Sequence, residues 1–233
     1  MIGKSIKIFE ELDSTNDFVK LNVSNLEDGT IIVTKKQTKG RGLRDNKWES
    51  IEGNLYFSVI LKNDVFRADV FKHIVQSSVA ITRTLKHFGI NSDIKYPNDC
   101  LVNSKKISGI LIESLGFKSL DYIIIGIGLN VNQIDFKGLK EKATSIKQII
   151  KQDLNTIEVL NEFISNFNKI IKSNYDRIFE EYIEKSVVIN KLINYKDQEY
   201  IISNIEKNGT ILIRNERAQK RVAFSEISLK ELY

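Results

Sequence analysis

Lys35-Lys-Gln-Thr-Lys-Gly-Arg-Gly-Leu-Arg-Asp-Asn-Lys-Trp-Glu-Ser50 is the stretch from which the fold of this chain is best read. It follows the β-branched run Thr30–Thr34 and precedes the apolar run Leu55–Leu61, so it reads as a long connection between two strands. Gly40 and Gly42, one residue apart, let the backbone approach a ligand closely. Between Lys35 and Trp48, the residues Lys35, Lys36, Lys39, Arg41, Arg44 and Lys47 stand against one acid, Asp45, so this window carries as much positive charge as the whole chain, +5, with Glu49 just outside it. A glycine-hinged basic loop suits a phosphate or a carboxylate. A solvated basic loop fits the same residues equally well.

Working outward, Ser5–Phe9 alternates as a short strand does, and Asp13, Ser14 or Thr15 is placed to cap a helix running toward Val23. Asn54–Leu61 is apolar on both alternations, as in a strand buried on both faces. Val70, Ile74, Val75, Ser78, Val79, Thr82 and Leu85 fall at helical spacing, giving a helix from about Ala68 to Phe88 that stops at Gly89. Pro97 forces Tyr96 extended, so Lys95, Asn98 and Asp99 are carried on a rigid corner between two strands. Gly109 interrupts a strand that begins after Lys105 and Lys106, which marks a bulge or a close approach to the backbone. Tyr122–Asn132 is a strand containing Gly126 and Gly128, for which packing against a neighbouring strand is a sufficient reason, and ends in Asn130 and Asn132. Ala143-Thr-Ser-Ile starts a short helix, and Ile157–Ile183 carries the apolar stripe of one long amphipathic helix. From about Asn190 the pattern changes to short alternating strands with turns at Lys207-Asn-Gly and near Asn215, a small β-barrel in outline.

Length and composition bound the function. The chain of 233 residues, 42% apolar, is long enough for one large and one small domain. Its single cysteine, Cys100, excludes an intramolecular disulfide and a multi-cysteine zinc site, and fits a reducing compartment. Two histidines, His73 and His87, both on the helix, read as ordinary helix residues. No apolar run is long enough to span a membrane and the N-terminus lacks a signal-peptide core. A cytoplasmic protein without membrane contact is expected.

Four separated stretches then fall in a recognisable order: Asp13-Ser-Thr-Asn; Gln37-Thr-Lys-Gly-Arg-Gly with Lys47-Trp48 and Ser50; Lys95-Tyr-Pro-Asn-Asp followed by Lys106-x-x-Gly-Ile-Leu; and Gly126-x-Gly-Leu-Asn-Val-Asn. Together they resemble the biotin protein ligases, and the closing Glu226-Ile-Ser-Leu is similar to the end of that family's small C-terminal domain. The resemblance implies an α+β fold: a mixed β-sheet with flanking helices, of the class II synthetase-like type, over residues 1–187, and an SH3-like β-barrel over 188–233. It implies a biotin–[acetyl-CoA-carboxylase] ligase that joins biotin and ATP, with Mg²⁺, into biotinyl-AMP and passes biotin to a lysine of a biotin carboxyl carrier protein or domain, as a monomer or homodimer. Because the Asp-Ser-Thr-Asn motif begins by Asp13, no N-terminal DNA-binding domain and no operator binding are expected.

By the same resemblance, Ser14, Thr15, Asn16, Gln37, Gly40, Arg41, Gly42, Leu43, Lys106 and Gly109 would hold biotin. Arg41, Arg44, Trp48, Lys95, Asn98, Lys106 and Asn130 would hold ATP. Lys106, Arg41 and Asp99 would act in catalysis, with Asp99 near the metal or the reacting amine, because the first step brings two anions together. The loop at 35–50 would order over the ligand and exclude water, Trp48 covering the adenine. Two positions depart from the family: Leu43 stands where an arginine is usual, with Arg44 next in line to supply its charge, and Tyr96 replaces a tryptophan. A lipoate-type acyl-adenylating ligase shares the architecture, and a basic nucleic-acid-binding module is the alternative of a different class.

Overall fold

The apolar runs on either side of the basic stretch form β2 (Ile31–Gln37) and β3 (Leu55–Leu61), which pair antiparallel with Ile31 opposite Val59 and Thr34 opposite Tyr56. The protein is described here by a computed structural model covering residues 1–43, 46–62, 70–115 and 122–227. Arg44, Asp45, Ala68 and the end of the Glu226-Ile-Ser-Leu motif lie outside the described residues. β2 runs three residues past the β-branched run, so Lys35, Lys36 and Gln37 belong to a strand and not to the loop. The reason is β1 (Ile6–Leu12), which pairs parallel to β2 as far as Glu11 opposite Lys36 and Leu12 opposite Gln37.

The remaining strands of this sheet are β4 (Asp93–Lys95), β5 (Asp99–Val102), β6 (Lys105–Leu115) and β7 (Tyr122–Leu129). The order is β1-β2-β3-β7-β6-β5-β4, seven strands, mixed because of the one parallel pair. Period-two alternation sorts its residues cleanly between two faces. Phe57, Val59, Ile110, Ile125 and Ile127 point into the main core, under α2 (Val70–His87), α4 (Thr156–Ile170) and α5 (Tyr175–Glu184). Ile32, Ile60 and Ile124 point the other way, where Val19 of α1 (Thr15–Leu21) covers them. On that second face Ser58, Gly109, Leu111, Gly126 and Gly128 follow, and here the sheet carries a cleft in place of a helix.

The expected long helix over 157–183 is two. α4 ends at Ile170 and α5 restarts behind Asn174, whose side chain accepts from the Asp176 N–H as an N-cap. A capping residue in mid-stripe breaks the helix without breaking its apolar periodicity. The short helix α3 (Ile146–Ile150) starts behind Ser145 as read from the sequence. The last strands, β8 (Leu192–Tyr195), β9 (Gln198–Ile205), β10 (Ile211–Arg214) and β11 (Gln219–Val222), form a four-stranded antiparallel sheet, order β11-β10-β9-β8. This arrangement is consistent with an SH3-like domain, but among the described residues the sheet does not close into a barrel, since its terminal strands β8 and β11 are not paired.

The small sheet bears directly on the corner at 95–99. Tyr96 Oη donates to the Gly209 carbonyl at 2.6 Å and its ring meets Phe224 edge-on at 5.5 Å. From the other side Tyr182 Oη donates to the Pro97 carbonyl at 2.8 Å. The corner that carries Lys95, Asn98 and Asp99 is thereby gripped by both parts of the chain. Tyr96 thus joins an aromatic contact to a hydroxyl that makes the bond to the Gly209 carbonyl.

Candidate active-site cleft

The cleft floor is made of glycines because side chains from elsewhere lie on it. A Cβ on Gly126 would fall 2.3 Å from Asn16 Oδ1, one on Gly109 2.8 Å from the Trp48 ring, and one on Gly128 2.5 Å from it. Gly126 and Gly128 are therefore required by the approach of Asn16 and Trp48, and not by strand packing as the sequence suggested. Gly109 and Gly128 are direct partners across β6 and β7, so together they make a flat seat for one indole.

At one end of the cleft Ser14 caps α1, accepting the Asp17 N–H, and so presents Thr15 and Asn16 at the first turn. The Thr15 N–H and Oγ1 donate to Gln37 Oε1 at 2.9 and 3.3 Å, and Gln37 Nε2 donates to Ser50 Oγ. Ser58 Oγ shares its proton between Thr15 Oγ1 at 2.7 Å and Asn16 Oδ1 at 2.6 Å. All of these groups except Gln37 and Ser50 are buried, so the network is a fixed set of polar groups behind a cavity of about 220 Å³. Ser58 escaped the sequence reading because it sits within an apolar strand and contacts the motif residues only through the sheet.

The basic loop crosses this end. Its turn is closed by Gly42 N–H to Asn46 O at 2.7 Å and Trp48 N–H to Gly40 O at 3.0 Å. A side chain on Gly40 would strike the Trp48 carbonyl at 2.6 Å, so Gly40 shapes the turn; Arg41, Gly42, Leu43 and Trp48 line the cavity itself. The loop's charge is largely matched by acids. Lys35 pairs with Glu10, Lys36 with Glu11 and Lys39 with Asp13, at 2.7 to 2.8 Å, all reached through the parallel strand β1 and its extension. Arg41 Nη2 donates to Asp17 Oδ1 at 2.6 Å, and its two terminal nitrogens fork onto Glu113 at 3.2 Å each. Burial works against charge on Glu113, but hydrogen bonds from Lys20, Asn16 and Arg41 hold its carboxyl below the ordinary value.

At the other end Lys106 Nζ lies 2.7 Å from Asp99 Oδ1 and 5.1 Å from the centre of the Trp48 ring. Lys95 borders the same space; burial pushes its ammonium below the ordinary value, with Asp99 opposing and the neighbouring Lys106 and Lys142 adding to the shift. Asn98 donates to the Ile110 carbonyl at 2.6 Å, which ties the corner to β6. Asn130 is not in this cavity. Its amide donates to the Thr144 carbonyl, and it lines a second cavity of about 200 Å³ beyond Trp48, together with Lys47, Lys106, Gln133, Phe136 and Lys142. Lys47, Trp48 and Lys106 are shared by both cavities, so the indole stands as a partition between them.

The cleft thus joins a neutral hydrogen-bonding end to a lysine-rich end through a narrow apolar floor. Among the described residues no group of three or more His, Cys, Asp or Glu could hold a metal ion. Among the described residues Asp99 is the one acid lining the first cavity, a donor set that fits only a hard cation whose other ligands are water and phosphate oxygens. Among the described residues no helix is long and apolar enough to cross a membrane.

A model of the biotin/lipoate A/B protein ligase family matches residues 8–130. The chain is 35% identical over 176 residues to the bifunctional ligase/repressor BirA of Bacillus subtilis (strain 168), covering 72% of this chain and 54% of that protein. It is 32% identical over 183 residues to biotin–protein ligase 1, chloroplastic, of Arabidopsis thaliana, covering 72% and 48%. The chain spans about half the length of the curated relatives it matches. Among solved structures, biotin protein ligase from Aquifex aeolicus in complex with biotin and ATP is similar with a TM-score of 0.83 and 28% identity, over 97% of this chain and 98% of that one.

Proposed function

The chain belongs to the biotin/lipoate A/B protein ligase family, and on that premise we propose that it is a biotin protein ligase, acting on biotin, ATP and a biotin carboxyl carrier protein or domain. The observation that carries this reading is the single cleft that runs from the Thr15, Asn16, Gln37 and Ser58 network to Lys106, Asp99 and Lys95. A ureido ring needs fixed donors and acceptors, and a carboxylate meeting a phosphate needs cations. The cleft supplies both.

In the first step a biotin carboxylate oxygen forms a bond to the α-phosphorus of ATP while the bond to the pyrophosphate leaving group breaks. Negative charge concentrates between the two anions, and Lys106 would meet it by exchanging its Asp99 partner for the ligand. Asp99 would be the protein carboxylate that holds Mg²⁺, which would supply positive charge against the leaving pyrophosphate. In the second step the acceptor lysine's neutral amine attacks the biotinyl carbonyl carbon and AMP leaves; Asp99, freed from Lys106, would take the amine's proton. Trp48, seated on the glycine floor between the cavities, would shield the mixed anhydride from water, with adenine in the cavity lined by Asn130 and Phe136. We take 1–187 as the catalytic unit and 188–233 as the SH3-like unit of a cytoplasmic enzyme.

The test is to mix the protein with biotin, ATP, Mg²⁺ and a biotin carboxyl carrier domain. Biotin-dependent pyrophosphate release and acceptor labelling are expected; absence of both overturns the reading. Competition calorimetry separates the lipoate alternative, which tighter binding of lipoate than of biotin would establish.

A further inference from the structure

Glu113 belongs to none of the sequence motifs, yet every polar group at the neutral end of the cleft connects to it. It lies on β6 on the same face as Gly109 and Leu111, with its side chain 20% exposed. Its Oε2 accepts from Asn16 Nδ2 at 2.7 Å and its Oε1 from Lys20 Nζ at 2.7 Å, with Arg41 forked across both oxygens. An ionised carboxylate accepts hydrogen bonds and donates none. It therefore takes the NH₂ end of the Asn16 amide, and the carbonyl end must face the other way. That carbonyl is the oxygen that accepts from Ser58 and lies against Gly126, at the back of the cavity.

We propose that Glu113 is a positioning residue for ring recognition: by holding the Asn16 NH₂ it fixes the Asn16 carbonyl as an acceptor turned toward the cleft, where a ureido N–H would meet it. The inference rests on the biotin reading. It adds a source of selectivity, because the dithiolane ring of lipoate has no N–H to give and gains nothing from a fixed acceptor. Asn16 flipped by half a turn would instead present donors to donors. The Leu111 carbonyl, 3.4 Å from Asn16 Nδ2, opposes that state weakly; a carboxylate at 113 opposes it strongly at 2.7 Å, whereas a glutamine there lowers its cost because it can donate to the turned carbonyl.

Calorimetry of the unmodified protein with biotin comes first: no binding there overturns the functional reading and leaves Glu113 without a ligand to act on. Given binding, Glu113→Gln is expected to weaken biotin about tenfold or more, with the loss in the KM for biotin and not in the KM for ATP. On an Asn16→Ala background the same substitution should cost at least about threefold less, because the group it acts through is gone. Glu113→Asp keeps an acceptor-only carboxylate and should retain more affinity than Glu113→Gln. Unchanged biotin affinity in Glu113→Gln, an equal loss on both backgrounds, or the reverse order of Asp and Gln overturns the proposal. Should Glu113→Gln fail to fold, Lys20→Met loosens the same carboxylate while leaving Asn16 its acceptor, and a biotin affinity that falls with Lys20→Met as far as with Asn16→Ala likewise overturns it.

Discussion

Replacing Gly128 by alanine tests whether the indole of Trp48 must lie on the sheet. The new Cβ would stand 2.5 Å from Trp48 Cε2, 2.6 Å from Cζ2 and 2.8 Å from Nε1. Carbon atoms in contact are about 3.5–4.0 Å apart, so the ring must rise by about 1 Å. A gap of that size forfeits about a quarter to a half of each dispersion contact beneath the ring. It also disturbs the Lys106 ammonium, now 5.1 Å from the ring centre, an interaction worth about 0.5–2 kcal/mol. Taken together the seated state loses about 1–3 kcal/mol, which is about 5–150-fold in any step that needs it. Because Trp48 is the only tryptophan, its emission reports the seat without ambiguity. Gly128→Ala is expected to shift that emission to the red and to raise the KM for ATP in biotin-dependent pyrophosphate release, while biotin binding without ATP changes less. An unchanged emission maximum together with an unchanged KM for ATP would refute the reasoning, because the alanine would then be accommodated without moving the ring.

Other outcomes follow from single contacts. Lys106→Ala is expected to slow pyrophosphate release by about 10²–10³, the cost of one charge-stabilising donor, and biotin binding measured without ATP should change far less. Arg83→Ala removes the fork to Glu181 that ties α2 to α5 at 3.2 and 2.6 Å. With Arg83 about a third exposed, the loss should be about 0.5–1.5 kcal/mol after solvent screening, seen in thermal melts as about 2–4 °C per kcal/mol. Glu113 adds a pH dependence: its carboxyl lies below the ordinary value of 4.5 in the fold, so its stabilising contribution is complete above that value and is lost as pH falls through the lower folded one. Urea unfolding at stepped pH should show a stability loss on acidification that Glu113→Gln reduces; an identical loss in both proteins would remove Glu113 as its source.

The parts of this fold that were legible are those that local periodicity encodes. Leu55–Leu61 reads as a strand buried on both faces because both alternations are apolar, and the helical spacing from Val70 to Leu85 marks α2. The stripe from Ile157 to Ile183 misled for the same reason: periodicity continues through a break, and the signal that mattered was Ser173-Asn174, a capping pair inside the stripe. At the site, Ser14, Thr15, Asn16, Gln37, Asp99 and Lys106 do converge, since each lies at or near an element end facing one cleft, and Gly109 joins them from within β6. Ser58 and Glu113 were not legible because they join the site through the order β2-β3-β7-β6, which no short window of sequence contains, and Asp17 because only the fold brings Arg41 to it. A signal for Glu113 did exist, in the alternation that carries Gly109 and Leu111 to the cleft face and continues to residue 113.

The charge of the opening stretch takes on a different meaning once its partners are known. Read along the chain, Lys35 to Lys47 is a cationic loop for any polyanion. In the fold Lys35, Lys36, Lys39 and Arg41 each face an acid within ion-pair distance, so a nucleic acid would have to displace those acids before gaining a phosphate contact. Binding of that kind draws its strength from released counterions, and cations already paired within the protein release few. Lys106 differs, because its partner Asp99 lies inside the cleft, where a small ligand can take the lysine and leave the acid a task of its own. The electrostatics therefore favour one compact anion held at Lys106, Lys95 and Lys142 over an extended one lying along the loop. Binding to arbitrary DNA should accordingly be weak, with a shallow dependence on salt. A steep salt dependence that Lys35→Ala or Lys39→Ala reduces would show that the strand-edge ion pairs open readily, and would return the loop to the reading its sequence first suggests.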